Sequence, residues 1–138
     1  MKTILVMIFA VLVFVVASAL AQQKIVRKEL YKANIGAQTI STVDVREIVL
    51  EPRQKGGLHR HPCPVINYVV KGVIRFQIRG EQEKTIHAGE VCYEPAGAII
   101  EHFDNASDRE PVKFIPYYLL NGQKELIEML PAPEAKPQ

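Results

Sequence analysis

The sequence predicts an all-β protein, a sandwich or closed barrel, on two observations. Short runs rich in β-branched and aromatic residues recur at roughly ten-residue spacing, and glycine or proline bounds nearly all of them. One of these runs, 73–79, alternates strictly: Ile74, Phe76 and Ile78 lie on one face, Arg75, Gln77 and Arg79 on the other. Taken in order, 40–50 reads as a strand carrying Val43, Val45, Ile48 and Leu50, with an irregularity near Glu47. Residues 52–57 are punctuation, and 65–70 (Val-Ile-Asn-Tyr-Val-Val) is a strand buried on both faces. Lys71-Gly72 turns the chain into 73–79, and Gly80 turns it again into 85–87. After Gly89 come the strand 91–93, a tight corner at Pro95 and Gly97, and a strand over 98–103. A polar loop at 105–111 leads to a last apolar strand at 112–120. Only 123–130 has helical character, and 131–138, rich in proline and alanine, is expected to be disordered.

The beginning of the chain is expected to lie outside the fold. Lys2, the apolar run 4–16 and Ala19-Leu20-Ala21 before polar Gln22 have the form of a secretory signal peptide cut after Ala21. The expected organisation is therefore a signal peptide at 1–21, a lead-in at 22–37, one barrel at 38–122, and a short helix with tail at 123–138. Lys2 is one of 17 basic residues, so the exported part carries 16 bases against 15 acids. Such a near-neutral, interleaved surface argues against nucleic acid, or a membrane after cleavage, as the partner. The expected location is secreted or periplasmic.

Gly56-Gly57-Leu58-His59-Arg60-His61-Pro62 is the segment that carries chemistry. On a strand, residues two apart share a face, so His59 and His61 would present two imidazoles side by side, half a site for a borderline metal. A solvated loop is the plain alternative. Cys63 and Cys92, sent to an oxidising compartment, admit three readings: a disulfide, two buried thiols, or Cys63 as a soft ligand.

Gly57-x-His59-x-His61 followed by Tyr68-Val69-Val70-Lys71-Gly72 resembles the first motif of the cupin superfamily. Gly89, then five residues, then Pro95-x-Gly97 resembles the second, with Asn105 close to its asparagine. The resemblance runs from Glu51 to about Leu120. It implies a double-stranded β-helix, the cupin jelly-roll barrel, whose two motifs line one mouth. It also implies a divalent transition metal, commonly iron, manganese, nickel, zinc or copper, held by two histidines and a glutamate of the first motif and a histidine of the second.

Two of those four positions depart from the pattern. Val65 stands where the glutamate would fall, and Ile100 stands where the third histidine would fall. His102, displaced by two, keeps the facing of Ile100 one rung further along, unless a bulge between Ile99 and Glu101 draws it back. The expected ligands are therefore His59, His61 and His102, a site without an acid. Glu94 is better placed than Glu101 to replace the lost carboxylate, although a glutamate beside a turn reads first as solvated. Asn67 shares the parity of Val65 and offers a neutral inward group; His87 reads as surface.

Two functions follow as expectations. One is a metal-dependent enzyme, oxygenase- or isomerase-like, acting on a small organic substrate. The other is a non-catalytic barrel that holds a small molecule, with or without metal. The run 112–120 is more apolar than one edge strand requires and is interrupted by Pro116. Paired with 40–50 across a two-fold axis it would make a homodimer; otherwise the helix at 123–130 would fold back over it.

Overall fold

The computed structural model describes residues 24–131. The expected signal peptide and nearly all of the expected disordered tail lie outside them. Ten strands follow in order: β1 (Thr42–Val45), β2 (Ile48–Leu50), β3 (His59–Arg60), β4 (Val65–Lys71), β5 (Val73–Ile78), β6 (Lys84–His87), β7 (Val91–Glu94), β8 (Ile100–Asn105), β9 (Val112–Leu120) and β10 (Glu128–Met129). They form two antiparallel five-stranded sheets. One runs β1-β9-β4-β7, with β2 also on β9; the other runs β10-β3-β8-β5-β6. The two face each other as a jelly roll, as expected.

The core follows from the alternation. Val65, Asn67 and Val69 of β4, Ile74 and Phe76 of β5, and Val112, Phe114 and Tyr118 of β9 all point inward and are buried. Phe103 anchors the centre, its ring 5.9 Å from Phe76 and 4.8 Å from Phe114. The inward residues divide into a larger apolar cluster at one end and a smaller one at the other, made of Cys63, Val65, Tyr118 and Leu120. Cys92 belongs to the first cluster and Cys63 to the second. Both are buried free thiols, which is the second of the three readings.

Two expectations need correction. The run 112–120 is not an edge: β9 is bonded to β4 on one side and to β1 and β2 on the other. Its proline is tolerated because Pro116 stands opposite the break between β1 and β2, where its carbonyl accepts from the Arg46 N–H at 3.2 Å and no donor is needed. That break is the irregularity read near Glu47. The second correction concerns 123–130, which is not a helix; none occurs among the described residues. Eight residues are too few to hold a helix by themselves, and tertiary partners claim the segment instead. It becomes a strap: β10 pairs with β3, Arg60 grips Glu128 at 2.7 and 3.0 Å, and the Leu130 N–H donates to the Leu58 carbonyl.

The glycine pair before the histidines is a close approach. A Cβ on Gly56 would stand 2.6 Å from the Phe103 backbone oxygen, while the Gly56 N–H donates to that same oxygen and to Asp104 Oδ1. Gly56→Ala is therefore expected to destabilise the fold by about 1–3 kcal/mol, through a clash that backbone cannot relieve. Thermal unfolding checks this; an unchanged midpoint would mean that the loop does not press on β8 as described.

Candidate metal centre

β3 is only two residues long, yet it is fixed on both sides. His59 stands opposite Ile100 of β8 and opposite Met129 of β10. His61 lies just beyond the strand, with its carbonyl accepting from the Gly97 N–H at 2.8 Å. The two imidazoles do share a face, their centroids 5.1 Å apart and nearly perpendicular, and both are about 4% exposed.

Each ring is oriented by a backbone carbonyl. His59 Nδ1 lies 2.8 Å from the Gly57 oxygen and His61 Nδ1 lies 2.5 Å from the Leu126 oxygen. A carbonyl only accepts, so Nδ1 carries the proton in both rings and each Nε2 turns a lone pair inward. Those nitrogens converge on Glu94, whose Oε2 lies 3.1 Å from His61 Nε2 and 3.5 Å from His59 Nε2. The Asn67 amide donates to the other oxygen, Oε1, at 2.7 Å. Glu94 Oε2 is buried without a hydrogen-bond partner.

Burial disfavours the charged form of Glu94, but a histidine that takes a second proton at Nε2 outweighs it by hydrogen bond and charge, and the pair hold the carboxyl below its ordinary range. For His61 burial likewise works downward, and Glu94 more than offsets it, so the imidazole sits above its usual value. The site is thus built to attract positive charge. With both tautomers fixed, three acceptors face one another, an arrangement that a cation resolves. Metal–ligand distances of about 2.0–2.2 Å place neighbouring donors of a tetrahedral site roughly 3.4 Å apart, close to the separations seen here. His59, His61 and Glu94 are the one group of three or more potential ligands within 4.8 Å of one another among the described residues. They fit a transition metal.

The ligand set differs from the expected one in its third member. Glu94, at the end of β7, stands directly opposite Val65 of β4. Directly opposed residues share a face, so the carboxylate missing at Val65 is supplied from across the ladder, and the site is not acid-free. His102 is excluded by a bulge that acts opposite to the expectation. Gln77 pairs with His102 but Ile78 pairs with Ile100, so Glu101 is the extra residue, held outside by Arg79 at 2.8 Å. That insertion reverses parity. Ile100 and Phe103 face the core, while His102 faces outward beside Arg75 and Gln77, its Nδ1 2.9 Å from Asp104 Oδ2. Ile100, fully buried opposite His59, occupies the position of the fourth ligand. Asn105 has a structural role, donating to the carbonyls of Leu50, Glu51 and Glu110. His87 is exposed, as expected.

Residues 46–118 match the profile of the cupin domain family, and the chain belongs to it. Solved structures share the fold. A cupin-like protein from Thermotoga maritima is 25% identical, with a TM-score of 0.55 over 64% of each chain. The DMSP lyase DddQ from Ruegeria pomeroyi is 16% identical, with a TM-score of 0.55 over 63% of this chain and 42% of that one. Oxalate decarboxylase from Bacillus subtilis is 24% identical, with a TM-score of 0.51 over 56% of this chain and 21% of that one. The chain spans less than two thirds of each. No curated protein matches it in sequence.

Proposed function

We propose that this chain is an exported, metal-dependent cupin that holds one divalent transition ion through His59, His61 and Glu94 and acts there on a small organic substrate. The observation that carries the reading is the buried, unpartnered Oε2 of Glu94 aimed at two imidazole lone pairs. Two neutral nitrogens and one carboxylate suit iron, zinc, manganese, nickel or copper better than calcium or magnesium. Such an ion, when bound, supplies a Lewis-acid centre for substrate.

The remaining residues shape the surroundings. Asn67 orients the carboxylate, and the Gly57 and Leu126 carbonyls lock the rings, the outer support on which affinity depends. Tyr118 packs against His61 at 5.7 Å between centroids. Burial, and then the charge of Glu94, push its phenol up to about 12, so it stays a neutral wall group that can donate but not act as a base. Ile100 keeps the fourth side apolar. A non-catalytic reading, a barrel that only holds metal or a small molecule, draws on one observation: all three ligands are almost completely buried.

The test uses protein purified without chelators, with its N-terminus located by intact mass; a start at Gln22 supports export. Elemental analysis is expected to find about one equivalent of a transition metal, and close to none in a His59→Ala/His61→Ala variant. Equal, sub-stoichiometric metal in both would end the proposal. Oxalate, named for one of the solved relatives, is the first substrate to try with metal-loaded protein.

A further inference from the structure

The sandwich has an open side. β6 ends one sheet and β7 ends the other, and among the described residues no strand bridges the gap between these two edges. A cavity of about 140 Å³ enters the barrel there. Phe76, Ile78, Ile86 and Cys92 line its walls, together with Tyr31 from the extended stretch before β1. Phe76, Ile86 and Cys92 belong to the larger apolar cluster, so the cavity reaches the core. None of its lining residues is one of the three proposed metal ligands.

The residue that points to a ligand is Lys84. It stands directly opposite Phe76 in the β5–β6 ladder, so it shares the inner face with Phe76 and Ile86. A lysine is rarely placed on the core side of a sheet. Here its stem lines the cavity, and its ammonium donates to Glu81 Oε2 at 3.3 Å, both side chains being about half exposed. The cavity thus has an apolar interior and a mouth that carries one cation and one anion.

We propose that this cleft is a binding site for a small single-ring phenol, separate from the metal centre. Size sets the ring, since an apolar cavity of about 150 Å³ accommodates benzene. The walls set its character: Phe76 and Tyr31 offer aromatic faces or edges, and Cys92 a polarisable sulfur. The mouth sets the substituent. Lys84 only donates and Glu81 only accepts, which matches a hydroxyl, a group that does both. A carboxylate would meet the like charge of Glu81. An inward lysine on an edge strand also deters other chains from pairing there, but that role needs no cavity behind it and entails no binding.

Titration of the isotopically labelled chain with phenol, followed by NMR, tests this. A Kd on the order of 0.1–1 mM is expected for so few ligand atoms, with shifts centred on Tyr31 and strands β5 to β7. Benzene, which lacks the hydroxyl, and benzoate, which carries a charge, should each bind about fivefold more weakly or worse. Lys84→Met should weaken phenol binding by about the same factor, and Ile86→Phe, which fills the cavity, by more; His87→Ala, exposed on the same strand, should leave it unchanged. Circular dichroism checks folding, and should Ile86→Phe fail to fold, the half-exposed Lys84 carries the test. The absence of shifts at the cleft with about 10 mM phenol overturns the proposal. So do shifts centred on His61, or binding that Lys84→Met leaves intact.

Discussion

Glu94→Gln is expected to lower transition-metal affinity by about a hundredfold or more, while His102→Ala leaves it unchanged. The substitution keeps the shape of the side chain and an amide oxygen for Asn67 to bond. It replaces the unpartnered Oε2 with an NH₂ group, which removes the one negative charge from the ligand set and donates to an imidazole lone pair. The metal-free variant should stay close to wild-type stability, since it gives up the carboxylate's charge pairing with a protonated imidazole and gains an NH₂ donor to a neutral ring's lone pair. What disappears is the stabilisation that metal confers. Competition titration with zinc, paired with thermal unfolding with and without the ion, separates these effects. Zinc binding that survives Glu94→Gln but falls with His102→Ala would replace the proposed site with the outward histidine.

Ile100→His should act in the opposite direction. The side chain at this position faces inward directly opposite His59, so an imidazole there adds a fourth protein donor. Without metal, exchanging a fully buried isoleucine for an unpaired polar ring should cost about 2–4 kcal/mol. With metal, that loss is recovered, and affinity should rise about tenfold to a hundredfold, because ligand binding to the native state alone adds to stability. Metal should therefore raise the unfolding temperature of the variant by more than that of the wild type. An equal rise in both would mean that position 100 does not face the ion.

The barrel was legible because its signals are local. Alternation in 73–79, turn residues at regular intervals and the paired histidines need no knowledge of what lies opposite. The third candidate ligand was legible only as one possibility: Glu94 stood out as a replacement carboxylate, but no local signal told it from a solvated residue beside a turn. Glu94 reaches the site through its register with Val65, a relation between strands 29 residues apart in the chain that no local pattern records. Its one sequence signal was a glutamate ending an apolar strand, with Asn67 inward on another. His102 failed through a single inserted residue: the rule that parity is kept over two positions holds only on an unbulged strand, and Glu101 breaks it. The strap was missed because partners in β3, and not its own propensity, decide its form.

The Leu126 carbonyl makes the end of the described residues part of the surroundings of the proposed metal site. Whatever fixes His61 also fixes the strap, and thermodynamic linkage makes that dependence mutual. An ion that favours the locked ring draws residues 123–130 onto the barrel, and loosening those residues weakens the ion by the same factor. The strap carries exposed Ile127, Glu128 and Met129 on few hydrogen bonds, so it belongs to the part of the molecule that opens first. Susceptibility of the strap to cleavage thus becomes a gauge of metal occupancy, and a protease acting there would remove loaded and empty molecules at different rates.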